Sequence, residues 1–446
     1  MENQINKVSY IYKNRELVNF FNNLENKYAI YDGLNYCNLI NFSQNKDVPF
    51  YGWLRYREGY SGTLVKMLME EGCVSKGEIV VDPFCGSGTT SIVAKQNGCI
   101  GFGCDINPMS SFVTNIKLKT YSTDILNRVI DYLEQIKNTI QPKEDKRFES
   151  IKRYFAINNF EWLCSIRSYI DKIDNKDIKD ILLVSFICIV EECSDRKKDG
   201  NGLKTSPTKV KDVVDFFVNK VRYIVNDLIT ANTNTSLNGY NYTVSAMDFS
   251  ETCKDVMQQT NSTVGAVIFS PPYANSFDYL ETYKLELVFG GFVNGITGLN
   301  DLRKTALRSF IGVKDTQNPD YYVNMLATEI ESAIPEKESK THKRDARTRK
   351  VPTMIKGYFF DMEQVLKECA KILLPNKKVF IVVDQSSYLG KIVPTDLLLG
   401  YMAEQNGFKV EKILKTKNAN TSAQQLRDYP YLKGNLRGSI VVLQKV

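Results

Sequence analysis

The sequence has a single histidine, His342, and ten cysteines that never form a CxxC pair. A structural zinc site needs clustered Cys or His ligands, so none is expected and no metal is assigned. Cysteines scattered in this way give no disulfide framework either. Reduced thiols, and with them a cytoplasmic location, are the simpler reading. Long hydrophobic runs are missing too. The longest, residues 182–190 (LLVSFICIV), is half of what a bilayer requires, and the opening MENQINKV lacks the apolar core of a secretory signal. Charge of one sign is in short supply: 58 Lys and Arg against 51 Asp and Glu leave a formal +7. That balance permits a polyanionic partner without arguing for one. What remains is 43% hydrophobic and 24% charged, an ordinary globular composition. The length suits one large domain with an insertion, or two domains.

Short apolar runs that stop at Asp, Pro or Gly predict strands over residues 78–84 (EIVVDPF), 99–106 (CIGFGCDI), 242–248 (YTVSAMD) and 266–271 (AVIFSP). Others are predicted over 378–384 (KVFIVVD), 408–415 (FKVEKILK) and 438–445 (GSIVVLQK). Helices are expected at 89–96, 108–118, 357–373 and 395–406. Strands alternating with helices predict an α/β fold, a Rossmann-like, mostly parallel sheet of about seven strands covered on both faces. Between the second and third strands lies an insertion, residues 122–231, with helical spacing of apolar residues in 125–140, 160–173, 178–192 and 213–229. It is too long for a simple crossover and is expected to form a small helical subdomain. The chain then divides into 1–121, an inserted 122–235, and 236–446. Residues 290–352 are polar and irregular, and their tail, 337–350, holds seven Lys or Arg against two acids. That tail reads either as a solvated loop or as a phosphate-contacting segment.

Residues 80–90, VVDPFCGSGTT, are the most informative stretch. A strand ends at Asp82, a glycine-rich turn follows, and a helix opens near Thr89. At the carboxyl edge of a parallel sheet, ligands settle at such turns. Gly86 and Gly88 let the backbone approach a ligand, and the helix start offers unpaired N–H groups. A phosphate-binding loop would need a lysine after Gly88, and a dinucleotide fingerprint a third glycine; neither is present. An acid at Asp82 would repel a pyrophosphate but suit the ammonium of a methionine moiety. Asp105, ending the next strand, is placed to accept from both ribose hydroxyls, and Asp248, ending the third, from an adenine amino group. A single strand-terminal Asp is usually a cap or turn residue; three on successive strands argue against that reading.

The fourth strand ends in Ser270, Pro271, Pro272 and Tyr273 at the same edge. Alone, paired prolines mark a rigid loop. Beside a cofactor turn they suit a specific chemistry. An amino group on an aromatic base is a poor nucleophile because its lone pair is delocalised into the ring. Two acceptors at its hydrogens, the Ser270 hydroxyl and the Pro271 carbonyl, draw the nitrogen toward tetrahedral geometry. Proline, lacking an N–H, keeps the loop an acceptor. Tyr273 gives a flat face for an extruded base. The methyl then passes in line from sulfonium to nitrogen by positioning and electrostatics. Carbon-5 methylation of cytosine would need a cysteine nucleophile. The one nearby is Cys85, expected to face the methionine rather than a base, and there is no PC dipeptide.

DPFCGSGTT with SPPY resembles the amino-methylating enzymes of the DNA methylase N4/N6 family, over about residues 50–118 and 242–446. The resemblance implies a class I methyltransferase sheet and S-adenosylmethionine as cofactor. Asp82, Phe84, Gly86, Gly88 and Thr89 are then cofactor-binding, Asp105 lies at the ribose, and Ser270, Pro271, Pro272 and Tyr273 are catalytic. Residues 53–69 (WLRYREGYSGTLVKMLM) look like the family's N-terminal helix motif, with Ser61 and Thr63 at the methionine carboxylate. SPPY is closer to the N4-cytosine enzymes; adenine enzymes usually carry Asp or Asn first, although either side chain accepts one amino hydrogen. Double-stranded DNA is the implied partner, and restriction-modification with a cognate endonuclease the implied setting. The cofactor loop precedes the tetrapeptide, the reverse of many N4-cytosine enzymes. That leaves target recognition to the insertion or to residues 290–352. Within the insertion the basic segment 193–207 (CSDRKKDGNGLKTSP) is favoured for DNA contact. The alternatives are an RNA guanine-N2 methyltransferase, which generally shows DPPY, an inactive DNA-binding recognition subunit, and a protein glutamine methyltransferase, which would show NPPY.

Overall fold

A computed structural model describes residues 10–45, 48–54, 56, 59–199, 202–231, 239–419 and 421–446. Arg55, Arg57 and Glu58 of the N-terminal motif, Gly200 and Asn201 of the basic segment, and 232–235 at the end of the insertion lie outside the described residues. Along the chain run β1 (Ile30–Asp32), β2 (Ile79–Asp82), β3 (Ile100–Cys104), the hairpin β4 (Arg196–Asp199) and β5 (Gly202–Thr205), β6 (Tyr240–Tyr242) and β7 (Val264–Phe269). They are followed by β8 (Lys378–Asp384), a small hairpin β9 (Ser386–Tyr388) and β10 (Lys391–Val393), β11 (Phe408–Asn418) and β12 (Arg437–Lys445).

Eight strands form the main sheet in the order β1-β11-β12-β8-β7-β2-β3-β6. β12 runs antiparallel to both its neighbours, and the other pairings are parallel. This is the Rossmann-like class I methyltransferase sheet, with β1 as an additional edge strand beside β11. From β2 the chain builds outward through β3 and β6, then returns to β7 on the other side of β2. The strand order therefore reverses between β2 and β7, and a crevice opens outside their carboxyl ends. Both are buried along their whole length, as a parallel strand covered on two faces requires.

Alternate strand residues feed two cores. Val80, Ile268, Phe380 and Val382 point into one; Val81, Val267, Ile381 and Val383 point into the other. The first core also takes in Phe160, Phe186 and Phe217 from the inserted helices. The insertion is thus a helical layer fused to one face of the sheet rather than a separate subdomain. A buried hydrogen bond fixes it there: the Trp53 indole N–H donates to Asp227 at 2.7 Å. The opposite face is covered by Val351–Ile372 and Thr395–Gln405.

Residues 290–352 hold more helix than their polarity suggests, including Leu299–Thr305, Tyr321–Ser332 and Ile334–Thr341. The Asp320 side chain caps the second by accepting from Tyr322 and Val323. Several cations of the 337–350 tail are neutralised within the segment: Lys337 pairs with Asp345, Lys340 with Glu336 and Arg349 with Glu338. Among the described residues no helix is long and apolar enough to cross a membrane.

Candidate active site

The crevice between the β2 and β7 tips is a cleft of about 440 Å³. Its lining brings Phe84 and Asp105 from the glycine-turn side together with Ser270, Pro271, Pro272 and Tyr273 from the other. Two segments 180 residues apart in sequence therefore share one cavity.

On the first side the turn is built around two glycines with positive φ. Gly86 has φ 49°, and a Cβ there would lie 2.5 Å from the Tyr56 ring. Gly88 has φ 87°, and its Cβ would lie 2.5 Å from Thr114. Side chains at either site would collide with the wall and strain the backbone. Helix Thr89–Gln96 opens directly after, with Gly88 at its N-cap.

Asp105 is half-buried and lines the cleft. Its carboxylate accepts from the Gly86 N–H at 2.9 Å and the Asn107 N–H at 2.8 Å. Burial nevertheless pushes its pKa up to about 6, against the pull of those two bonds. A carboxylate offers about four lone-pair directions, so acceptor capacity remains for hydroxyls in the cleft.

Asp82 departs from its expected placement facing the ligand. It is 2% exposed, beneath the turn. One oxygen accepts from the Tyr60 and Thr90 hydroxyls at 2.8 and 2.7 Å, the other from the Phe84 N–H at 2.9 Å. Burial pushes it up to about 6 as well, against those hydrogen bonds. Its geometry is that of a brace holding the loop.

Asp248 departs further. β6 ends at Tyr242, and residues 245–248 form a turn closed by the Asp248 N–H on the Ser245 carbonyl at 3.0 Å. The carboxylate is exposed, and the cleft is lined instead by Ser245, Ala246 and Met247. Ser61 is buried and caps helix Gly62–Glu71 by accepting from Leu64 N–H at 3.2 Å, while Thr63 is exposed. Among the described residues of that segment, Tyr56 and Gly59 reach the cleft. Thr89 is buried in the first turn of its helix. Cys85 does not face the cleft either: its thiol donates to the Asn241 side chain at 3.0 Å, and burial pushes its pKa well up.

On the second side, Pro271 is buried and Ser270, Pro272 and Tyr273 are half-buried. The Ser270 hydroxyl donates to the Tyr273 hydroxyl at 3.4 Å, and the Tyr273 N–H to the Tyr279 hydroxyl at 3.3 Å. Burial raises the Tyr273 phenol well above its ordinary value, with Asp384 adding to the rise, so it stays neutral. Beyond the tetrapeptide, the Tyr388 hydroxyl donates to the Ala274 carbonyl at 2.9 Å and lies 2.8 Å from the Ser276 hydroxyl.

With that geometry in place the comparisons with known proteins can be read. A DNA methylase family model matches residues 61–113, which span the helix before β2, the glycine turn and β3. The Type II methyltransferase M.AvaI of Nostoc sp. is 27% identical over 413 residues, covering 86% of this chain and 85% of that protein. M.BsoBI of Geobacillus stearothermophilus, also a Type II methyltransferase, is 27% identical over 454 residues, covering 91% and 88%. The family model and both relatives make this chain similar to DNA methylases of the N4/N6 family. Several supports of this site carry no motif of their own. Tyr60 and Thr90 hold Asp82, and the buried Lys117 ammonium holds the Ser87 carbonyl at 2.8 Å with its pKa lowered by burial to about 8. Tyr388 secures the loop after SPPY. Thr90 closes the DPFCGSGTT stretch and Tyr60 directly precedes the SGT segment; the Lys117 and Tyr388 contacts are made by folding.

Proposed function

We propose that the protein is a Type II DNA methyltransferase that uses S-adenosylmethionine to methylate N4 of a cytosine extruded from the duplex. The observation that carries this is the shared cleft. A carboxylate beside a glycine turn and a Ser-Pro-Pro-Tyr tip line the same 440 Å³ cavity.

The residues present fit the cofactor. Asp105 would accept from the ribose hydroxyls, and Phe84, Ala246 and Met247 would give the adenine apolar walls. S-adenosylmethionine, when bound, supplies an electrophilic methyl on a sulfonium. The protein's own residues do the rest. The Ser270 hydroxyl can turn from Tyr273 to accept one hydrogen of the target amine, and the Pro271 carbonyl the other. Both are held by a loop that prolines stiffen and Tyr388 ties down, so little reorganises during transfer. Neutral Tyr273 offers a stacking face and takes no proton. After transfer the nitrogen carries one surplus proton, which would leave past the Ser270 hydroxyl to water at the open side of the cleft.

Cytosine is favoured over adenine because a serine begins the tetrapeptide, as in the N4-cytosine enzymes that SPPY resembles. The Type II setting rests on the names of the relatives, and a cognate endonuclease follows from it. The test is to incubate the full chain with unmethylated DNA and labelled cofactor, digest, and identify the modified nucleoside by mass spectrometry. N4-methylcytosine is expected. N6-methyladenine would overturn the choice of base, and label in RNA alone would overturn the substrate class.

A further inference from the structure

The β4–β5 hairpin stands out from the insertion at the mouth of the cleft, and its two faces differ. On the inner face Lys198 pairs across the strands with Leu203. The Lys198 ammonium is 1% exposed, pairs with the equally buried Glu286 and with Glu191, and lies 4.1 Å from the centre of the Tyr283 ring, itself a wall of the cleft. A buried ion pair is costly to disrupt, so the hairpin is held rigidly against the site. The outer face alternates away from this lock. There Lys197 stands directly opposite Lys204, both exposed, and Asp199 continues the same side into the cleft lining.

Like charges opposed across two strands destabilise a hairpin. Here no carboxylate among the described residues pairs with either. Arg153 and Arg196 add to the field: both lie over the Tyr154 ring, 4.9 and 5.3 Å from its centre, and neither pairs with a carboxylate among the described residues. The hairpin, whose Asp199 lines the cleft, and its flank thus carry four cations with no ion-pair partner among the described residues.

We propose that the outer face of β4–β5, with Lys197 and Lys204 as its centre, binds the phosphate backbone of duplex DNA and sets it over the cleft. This rests on the reading of the chain as a DNA methylase and adds to it where the duplex lies. The partner is DNA rather than a protein because two exposed ammonium groups in fixed backbone register on one ribbon suit a regular line of phosphates. The contact carries no base information, so it acts equally on every sequence.

The test uses the full chain and fluorescent duplex DNA of two unrelated sequences, with affinity measured over a series of salt concentrations. Lys197→Ala/Lys204→Ala is expected to weaken binding of both sequences alike. It should reduce the slope of log affinity against log salt by about 2, one for each phosphate contact. Lys197→Arg/Lys204→Arg should keep the slope, and Lys409→Ala, at an exposed residue of β11, a strand that contributes nothing to the hairpin, should not change it. Wild type that binds DNA, paired with a double alanine variant of unchanged slope, would overturn the hairpin's role. So would an arginine pair that binds no better than the alanine pair. Wild type that shows no salt-dependent DNA binding, or prefers duplex RNA of the same sequence, would instead overturn the methylase reading beneath it.

Discussion

Asp82 and Asp105 stand at the ends of adjacent parallel strands, and burial pushes both carboxyls up to about 6. Their partners separate them. Asp82 is saturated by two hydroxyls and a backbone N–H from beneath the turn. Asp105 is held by two backbone N–H groups and keeps the rest of its acceptor capacity for the cleft. A strand-terminal aspartate therefore does not declare its own role. The hydroxyls of Tyr60 and Thr90 make one a brace, and their lack at the other leaves acceptor capacity facing the cleft.

The largest effect that would break this comparison is on folding. Asp82→Ala removes the acceptor shared by the Tyr60 and Thr90 hydroxyls and the Phe84 N–H, leaving the two hydroxyls only each other and the Ile268 carbonyl, and should cost roughly 3 kcal/mol in urea unfolding. Asp105→Ala, where water can enter, should cost about 1 kcal/mol at most. Equal losses would remove the distinction. Next is the turn between them: Gly88→Ala places a Cβ against Thr114 at φ 87° and should cost about 2 kcal/mol by the same measurement.

Acid should then pull the two aspartates in opposite directions. A carboxyl whose folded pKa lies above its unfolded value binds protons more tightly when folded, so its penalty is greatest above pH 6 and fades as pH falls. The stability of wild type relative to Asp82→Asn should rise by about 1 kcal/mol between pH 7 and pH 5. Cofactor affinity needs the Asp105 carboxylate and should fall about tenfold over the same range, a dependence that Asp105→Asn should flatten. Smallest is Asp248→Ala. On an exposed turn it should change neither cofactor affinity nor stability by more than about 0.5 kcal/mol.

How far the sequence could be read follows from the range of the interactions concerned. Local patterns placed β8 at Lys378–Asp384 and the helices Thr89–Gln96 and Pro108–Leu118 to the residue, because apolar runs and caps sit together there. The seven expected strands all have counterparts. β6 was misplaced, since YTVSAMD has strand-like composition but turns at Ser245 to line the cleft. β1 escaped notice as a three-residue edge strand that exists only by pairing with β11. Helix Val351–Ile372 begins before Gly357 because Pro352 sits in its first turn, where a missing N–H costs nothing. The shared cleft was legible from DPFCGSGTT and SPPY. The brace at Asp82 was not, since Tyr60 and Lys117 meet the loop only in three dimensions and nothing in the motif marks Thr90 as turning back on Asp82. Nor was the hairpin, whose opposed lysines become meaningful only once their register is known.

The central claim is that the two strand tips divide one reaction between them, the first holding the cofactor and the second preparing the amine. Single-turnover methyl transfer, measured beside cofactor binding in two variants, tests it most directly. Ser270→Ala should bind cofactor as wild type does and transfer roughly a hundredfold more slowly at any cofactor concentration. Asp105→Ala should bind cofactor about tenfold to a hundredfold more weakly, yet approach the wild-type rate once saturated. A Ser270→Ala protein that loses cofactor, or an Asp105→Ala protein that keeps it, would contradict the account.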